Sequence, residues 1–270
     1  MESGQDFWGD VAALAWQVEL GADEAIGDAP VNRYEMPEAA PAAAPAPAAA
    51  PPAADNPGRP AAPVVAPEAL DAPALARAAA EAAPDLAALA TAMEAFELCE
   101  LKKGAQSFVF SDGTPGARLM VVGEAPGQEE DRQGRPFVGQ AGQLLDRMLA
   151  AIGRDRTAPA PDRGVYITNV LPWRPPANRT PDAAEIAMML PFLERHIALA
   201  APDALLLLGN TPCQALLGRG GITRMRGQWT DVLGRPALPS FHPAYLLRNP
   251  AAKRDSWADL LAVQARLRDG

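Results

Sequence analysis

From Arg118 onward, four short apolar runs alternate with stretches of helical spacing. Arg118 to Val122 ends in Gly123, which suits a buried parallel strand feeding a tight turn. From Ala141 the spacing becomes helical, with Leu144, Leu145, Met148, Leu149 and Ile152 on one face before Gly153 stops it. Val165 to Thr168, Ala204 to Leu208 and Ala237 to Phe241 repeat the strand pattern. Further helices are expected from a Thr180 cap, with Pro181 at the first position, to about Leu199, from Thr211 to Leu217, and from Lys253 to Leu267. Four strands alternating with helices predict a three-layer α/β/α fold around a central four-stranded parallel sheet with right-handed crossovers. All four strand ends then point the same way. Gly123, Asn169, Gly209 and His242, which each follow a strand, would converge on one crevice, where open α/β sheets bind their ligands.

The front of the chain has a different pattern. Phe7 to Leu20 places Trp8, Val11, Ala12 and Ala15 on one side, with Leu14 and Val18 alongside, and acidic residues flank it. This short amphipathic helix either packs on the domain or docks in the groove of a protein partner. Residues 37–73 hold 11 Pro, mixed mostly with Ala, too many for a packed core, so the tract reads as a semi-rigid linker. The sequence turns helical from Ala74 to Phe96, interrupted at Pro84, with Asp85 available to cap the next helix. The expected division is an acidic segment at 1–35, a Pro/Ala-rich linker at 36–84 and a folded domain at 85–270.

Charge sharpens that division. The chain carries a formal net charge of −9, but residues 1–92 hold 14 acidic and 3 basic side chains while residues 93–270 hold 19 and 21. The domain is therefore nearly neutral, and Arg248, Lys253 and Arg254 offer it a local basic face suited to phosphates. No apolar run approaches a membrane span, and the start is acidic where a signal peptide would be basic, so the expected location is cytoplasmic. Cys99 and Cys213 are the only cysteines, which argues against a disulfide framework and for the same cytoplasmic location.

The candidate chemistry lies in the loop after the first strand. Residues 123–142, GEAPGQEEDRQGRPFVGQAG, contain five Gly, two Pro and four acidic side chains, a loop too long for a mere connector. It matches neither a phosphate loop nor a dinucleotide fingerprint. Phe137 stands in it as an aromatic among polar and Gly neighbours, either an ordinary core residue or a stacking surface. This stretch resembles the signature of the family 4 uracil-DNA glycosylases, and two later stretches, YITNVLPWRPPANRTP (Tyr166 to Pro181) and HPAYLLRNP (His242 to Pro250), match the same family in the same order. The resemblance covers roughly Glu94 to Leu267 and implies a monofunctional DNA repair enzyme of base excision, which flips a deoxyuridine out of the stack and hydrolyses its glycosidic bond.

The resemblance also implies residue roles. Phe137 stacks on the flipped base; Asn169 donates to uracil O4 and accepts the N3 hydrogen; His242 donates to O2 as anion character builds on the leaving base. Gly123 and Gly127 let the backbone approach the base, and backbone N–H groups around Glu124 and Ala125 offer a second donor. Glu124, the nearest carboxylate in sequence, is the candidate for positioning water, and the resemblance implies that Glu130 occupies the space beside C5. The alternative for either acid is a solvated loop side chain. The family 1 glycosylases have a motif resembling GQDPYH, and this chain carries Ala125 where their Asp stands and Gly127 where their Tyr stands. Toward DNA, Leu246 or Leu247 is expected to wedge into the vacated stack, Arg248 to bind phosphate, and Arg174, Asn178 and Arg179 to form a second phosphate-facing loop. His196, within a helix, is expected to be structural.

One departure concerns the cofactor. Family 4 enzymes typically hold a [4Fe-4S] cluster on four cysteines, and at the matching positions this chain has Phe96, Cys99, Trp173 and Met189. The expectation is an enzyme with no iron–sulfur cluster and no other metal, acting as a monomer on uracil-containing DNA, with a hydrophobic plug in the vacated volume. An alternative is a catalytically weak uracil-DNA binding or damage-sensing protein. A third reading makes the acidic front segment the working part and the domain a scaffold.

Overall fold

The computed structural model describes residues 71–269; the expected helix at 7–20 and nearly all of the Pro/Ala tract lie outside the described residues. The described part opens with α1 (Ala72–Glu81), capped by the Asp71 side chain, which accepts the Ala74 N–H at 3.1 Å. Asp85 likewise caps α2 (Leu86–Glu94), accepting from Ala88 N–H at 2.8 Å as its sequence position suggested. The short α3 (Leu101–Gly104) leads to strand β1 (Ser111–Gly113) and then to β2 (Leu119–Gly123). After the signature loop, which contains α4 (Gln128–Gln133), come α5 (Gln140–Ala151) and β3 (Val165–Asn169). The chain continues through α6 (Ala183–Ala200), β4 (Ala204–Leu208), α7 (Asn210–Leu217), α8 (Ile222–Met225), β5 (Thr230–Val232) and β6 (Arg235–Ser240). It closes with α9 (Pro243–Arg248) and α10 (Lys253–Asp269). No described helix is long and apolar enough to cross a membrane.

All four predicted strands are present and parallel, but the sheet has six strands in the order β1-β3-β2-β4-β6-β5. The two additions, β1 against β3 and β5 against β6, are antiparallel edges. Ser111-Asp112-Gly113 and Thr230-Asp231-Val232 carry no apolar run, because a short edge strand is half solvated and stays polar. In β2 and β4 the side chains alternate between two apolar layers. Met120, Val122, Leu205 and Leu207 face a core shared with α1, α2 and α6; Leu119, Val121, Leu206 and Leu208 face a second core shared with α5 and α10.

Two expectations are corrected here. The folded domain does not begin at Asp85: α1 buries Ala76 and Ala80 in the main core, Arg77 pairs with Glu194, and Arg195 donates to the Ala83 carbonyl. Small Ala residues can pack closely on another helix, which composition alone reads as linker-like. The cap of α6 is Asp182 and not Thr180. Asp182 accepts from Glu185 N–H at 2.8 Å while Glu185 accepts from Asp182 N–H at 2.9 Å, a reciprocal box that satisfies two free donors where Thr180 would satisfy one.

Candidate active site

The chain runs from β2 outward to β3 and then crosses back over β2 to β4, so β2 lies at the point where the winding changes direction. Beyond the carboxyl ends of these strands lies a crevice of about 620 Å³. Its walls include Glu124, Ala125, Gly127, Glu130, Phe137, Asn169 and His242, so segments far apart in sequence do converge there. Gly123 lies behind this wall. It pairs with Asn169 across β2 and β3, and a Cβ on it would stand 2.4 Å from Asn169 Oδ1 and 2.5 Å from the Phe137 ring. Only Gly permits that approach.

Asn169 is buried at the end of β3, and its Oδ1 has no hydrogen-bond partner among the described residues. A buried amide oxygen left without a donor loses free energy unless a ligand supplies one. Phe137 is buried beside it in the left-handed region, at φ 54°, with its ring centroid 5.5 Å from that of His242.

His242 caps α9: its Nδ1 accepts the Ala244 N–H at 3.2 Å. In the neutral ring the proton must then sit on Nε2, so a helix cap sets the tautomer. Burial, with the Arg248 charge adding to it and Glu130 opposing, pushes the His242 pKa down to about 4. The ring is neutral at physiological pH. His196, the other histidine, lies outside the crevice as expected, stacked on Phe110 and hydrogen-bonded to the Tyr166 hydroxyl at 2.9 Å.

The two acids differ in how they are held. Glu130 projects from α4 and its Oε1 accepts the N–H groups of Val138 and Gly139, each at 2.9 Å, so it organises the loop carrying Phe137 as well as lining the crevice. Gly127 is tight against it, since a Cβ there would lie 2.8 Å from Glu130 Oε2. Glu124 Oε2 accepts the Thr211 hydroxyl at 2.5 Å. Thr211 was missed as a site residue, although its signal was available: it lies two residues after Gly209, in the first turn of α7 beyond β4, where that helix meets the crevice.

The residues expected to meet DNA divide. Leu246 is 1% exposed and packs with Leu144 and Phe241, so it is no wedge. Helix α9 turns it toward α5 and leaves Leu247 and Tyr245 each 39% exposed. Arg248 is exposed at the crevice rim. Arg179 also lines the crevice, but its guanidinium already meets both Glu185 oxygens, at 2.9 and 2.5 Å, so a phosphate there would have to compete with a carboxylate. Arg174 donates to Asn178 Oδ1 at 2.7 Å.

Phe96, Cys99, Trp173 and Met189 all join the main core cluster. Phe96 meets Phe192 edge-on at 5.4 Å, and Trp173, 2% exposed, lies 5.8 Å from Phe108. Burial pushes the Cys99 thiol pKa up, as for a small apolar side chain.

The Uracil DNA glycosylase superfamily matches residues 110–261. A type-4 uracil-DNA glycosylase of Thermotoga maritima is 42% identical over 154 residues, 56% of this chain and 77% of that protein. One of Sulfurisphaera tokodaii is 37% identical over 169 residues, 58% of this chain and 73% of that protein. A DNA polymerase of Bacillus phage SP01 is 32% identical over 158 residues, which make up 16% of the polymerase. The matched span exceeds half of the chain and includes every residue that lines the crevice, so the chain belongs to the uracil-DNA glycosylase superfamily and is similar to its type-4 enzymes.

Proposed function

We propose that this protein releases uracil from DNA as a monofunctional glycosylase, with the nucleotide flipped into the crevice beyond β2, β3 and β6. Phe137 stacks on the base, and the Asn169 amide pairs with O4 and the N3 hydrogen. As the N1–C1′ bond breaks, its electron pair leaves on the base and spreads to O2, where the Nε2–H of His242 donates. A neutral imidazole suits this, because a preorganised donor in a dry pocket stabilises developing charge without reorganising. Water oxygen bonds to C1′, and the proton it loses goes to Glu124, whose Oε2 is engaged by Thr211 while Oε1 remains for water. Glu130 excludes a methyl group beside C5. Leu247 enters the vacated stack and Arg248 binds phosphate.

The observation that carries this reading is an unpartnered buried Asn169 Oδ1 sharing one crevice with a histidine whose tautomer is set by a helix cap. The experiment is alkali cleavage of single- and double-stranded oligonucleotides with one uracil, after incubation with the full chain. Strand scission at uracil alone is the expected result. A second reading, a uracil-DNA binding protein with little turnover, draws support from Ala125, which brings no carboxylate to the place where a family 1 motif has one. Tight binding with intact glycosidic bonds after prolonged incubation would favour it.

We infer too that the protein works without an iron–sulfur cluster. Such a cluster needs four thiolates or equivalent ligands, and the corresponding positions here offer one thiol, one thioether and two aromatic rings. Their burial in the main core supports a hydrophobic filling that ties the loop after Asn169 to the surrounding helices. Stoichiometric iron and sulfide in anaerobically purified protein would overturn the inference.

A further inference from the structure

We propose that Arg156, which does not line the crevice, is a positioning residue that sets the orientation of the Phe137 ring; the proposal rests on the stacking role assigned to that ring. Phe137 sits at φ 54°, a conformation that a bulky side chain adopts only when its surroundings impose it. What imposes it is a grip on the peptide units on both sides of its Cα. Arg156 Nη1 donates to the Pro136 carbonyl and Nη2 to the Phe137 carbonyl, each at 2.9 Å. On the far side of the second peptide, Val138 N–H donates to Glu130 Oε1, also at 2.9 Å. Rotation about φ would swing the first peptide plane and rotation about ψ the second. One planar guanidinium holding both carbonyls therefore locks both torsions, and with them the direction in which the ring leaves the backbone.

The guanidinium is itself held. Asp146 accepts from Nε at 2.8 Å and Asp112 from Nη1 at 3.0 Å, while Arg135 shares Asp112 at 2.9 Å. Burial alone would raise the Asp112 pKa, but hydrogen bonds from Arg135 and Arg156 outweigh it and hold the carboxyl below its ordinary value. Asp112 therefore stays ionised near neutral pH. Helix α5 completes the cage: a Cβ on Gly142 would stand 1.8 Å from the Phe137 carbonyl oxygen. All three guanidinium nitrogens are used, in a rigid fork that a lysine ammonium cannot reproduce.

A merely structural role would also make Arg156 important, so the test must separate the two. Single-turnover uracil release and thermal unfolding are measured for Arg156→Lys, Phe137→Ala and the double variant. Lysine keeps the charge beside Asp112 and Asp146 but loses the fork. The expected result is a rate lower by about 10- to 100-fold for Arg156→Lys, the scale of a misplaced active-site group, with no further loss when the change is made in the Phe137→Ala background. Rate losses that multiply in the double variant, or a wild-type rate for Arg156→Lys, would overturn the proposal. A wild-type rate for Phe137→Ala would instead remove the stacking reading, and this proposal with it. Should Arg156→Lys fail to fold, Asp146→Asn loosens the same guanidinium from a half-exposed position, and the same two-background comparison decides.

Discussion

Asn169 and His242 are held in opposite ways, and that difference sets what each substitution should do. The Asn169 oxygen is left open, so Asn169→Ala removes base reading at little cost to the fold. His242 carries a helix cap, so His242→Ala removes both a donor and the Ala244 partner, at about 1 kcal/mol of stability for the lost cap. Each variant should release uracil about 100- to 1000-fold more slowly while remaining folded, read from single-turnover rates and melting curves. A wild-type rate would remove that residue from the site.

The histidines also set a pH dependence. An unfolded chain holds their pKa near about 6.5. Burial brings His196 down to about 3 and His242 to about 4, so between these limits the unfolded chain binds more protons than the folded one. Their stabilising contribution is fully present above the unfolded value and is lost as pH falls through about 4 and then about 3. Urea unfolding should show stability falling steadily as pH drops below neutrality. Uracil release should persist to about pH 5 and decline near 4 as His242 takes a second proton and gives up the Ala244 bond. An activity loss centred near the ordinary histidine value would contradict this assignment.

Among elements, the loop after β3 depends most on tertiary support. It runs from Asn169 through Val170, Leu171 and Trp173, all buried, with the Pro172 carbonyl accepting Val109 N–H at 2.9 Å. Trp173 is 2% exposed in the main core, so Trp173→Ala should open a cavity and destabilise by about 3–5 kcal/mol, measured by denaturant unfolding. The slowing of uracil release should be secondary and should diminish when rates are compared at equal folded fraction. Wild-type stability would mean that the core can close over the gap and that the plug is not structural.

Over the whole molecule, the boundary between front segment and domain can be tested by truncation. Because Ala76 and Ala80 of α1 are buried and Arg195 holds the Ala83 carbonyl, a chain starting at Asp85 lacks part of the main core. Removing residues 1–70 should leave melting temperature and uracil release near those of the full chain. Removal through residue 84 should lower the melting temperature by several degrees. Equal stability of the two truncations would return α1 to the linker.

The sequence by itself determined the parallel strands and the convergence of Gly123, Asn169, Gly209 and His242 at one end of them, because apolar runs and the Gly and polar residues after them are local signals. It could separate the two histidines, one in a helix and one beyond a strand. Tertiary structure decided what depends on neighbours distant in sequence. It buried Leu246 and exposed Leu247, a choice made by the packing of one face of α9 on Leu144 of α5 and on Phe241. It brought Thr211 to Glu124 across 87 positions and Arg156 to the Phe137 carbonyl across 19, and neither pairing leaves a periodic trace. The edge strands, and the packing of the Ala-rich α1 into the domain, escaped notice for the same reason: polar edges and small side chains carry little hydrophobic signal. Their place is set by hydrogen bonding and close packing that exist only once the chain is folded.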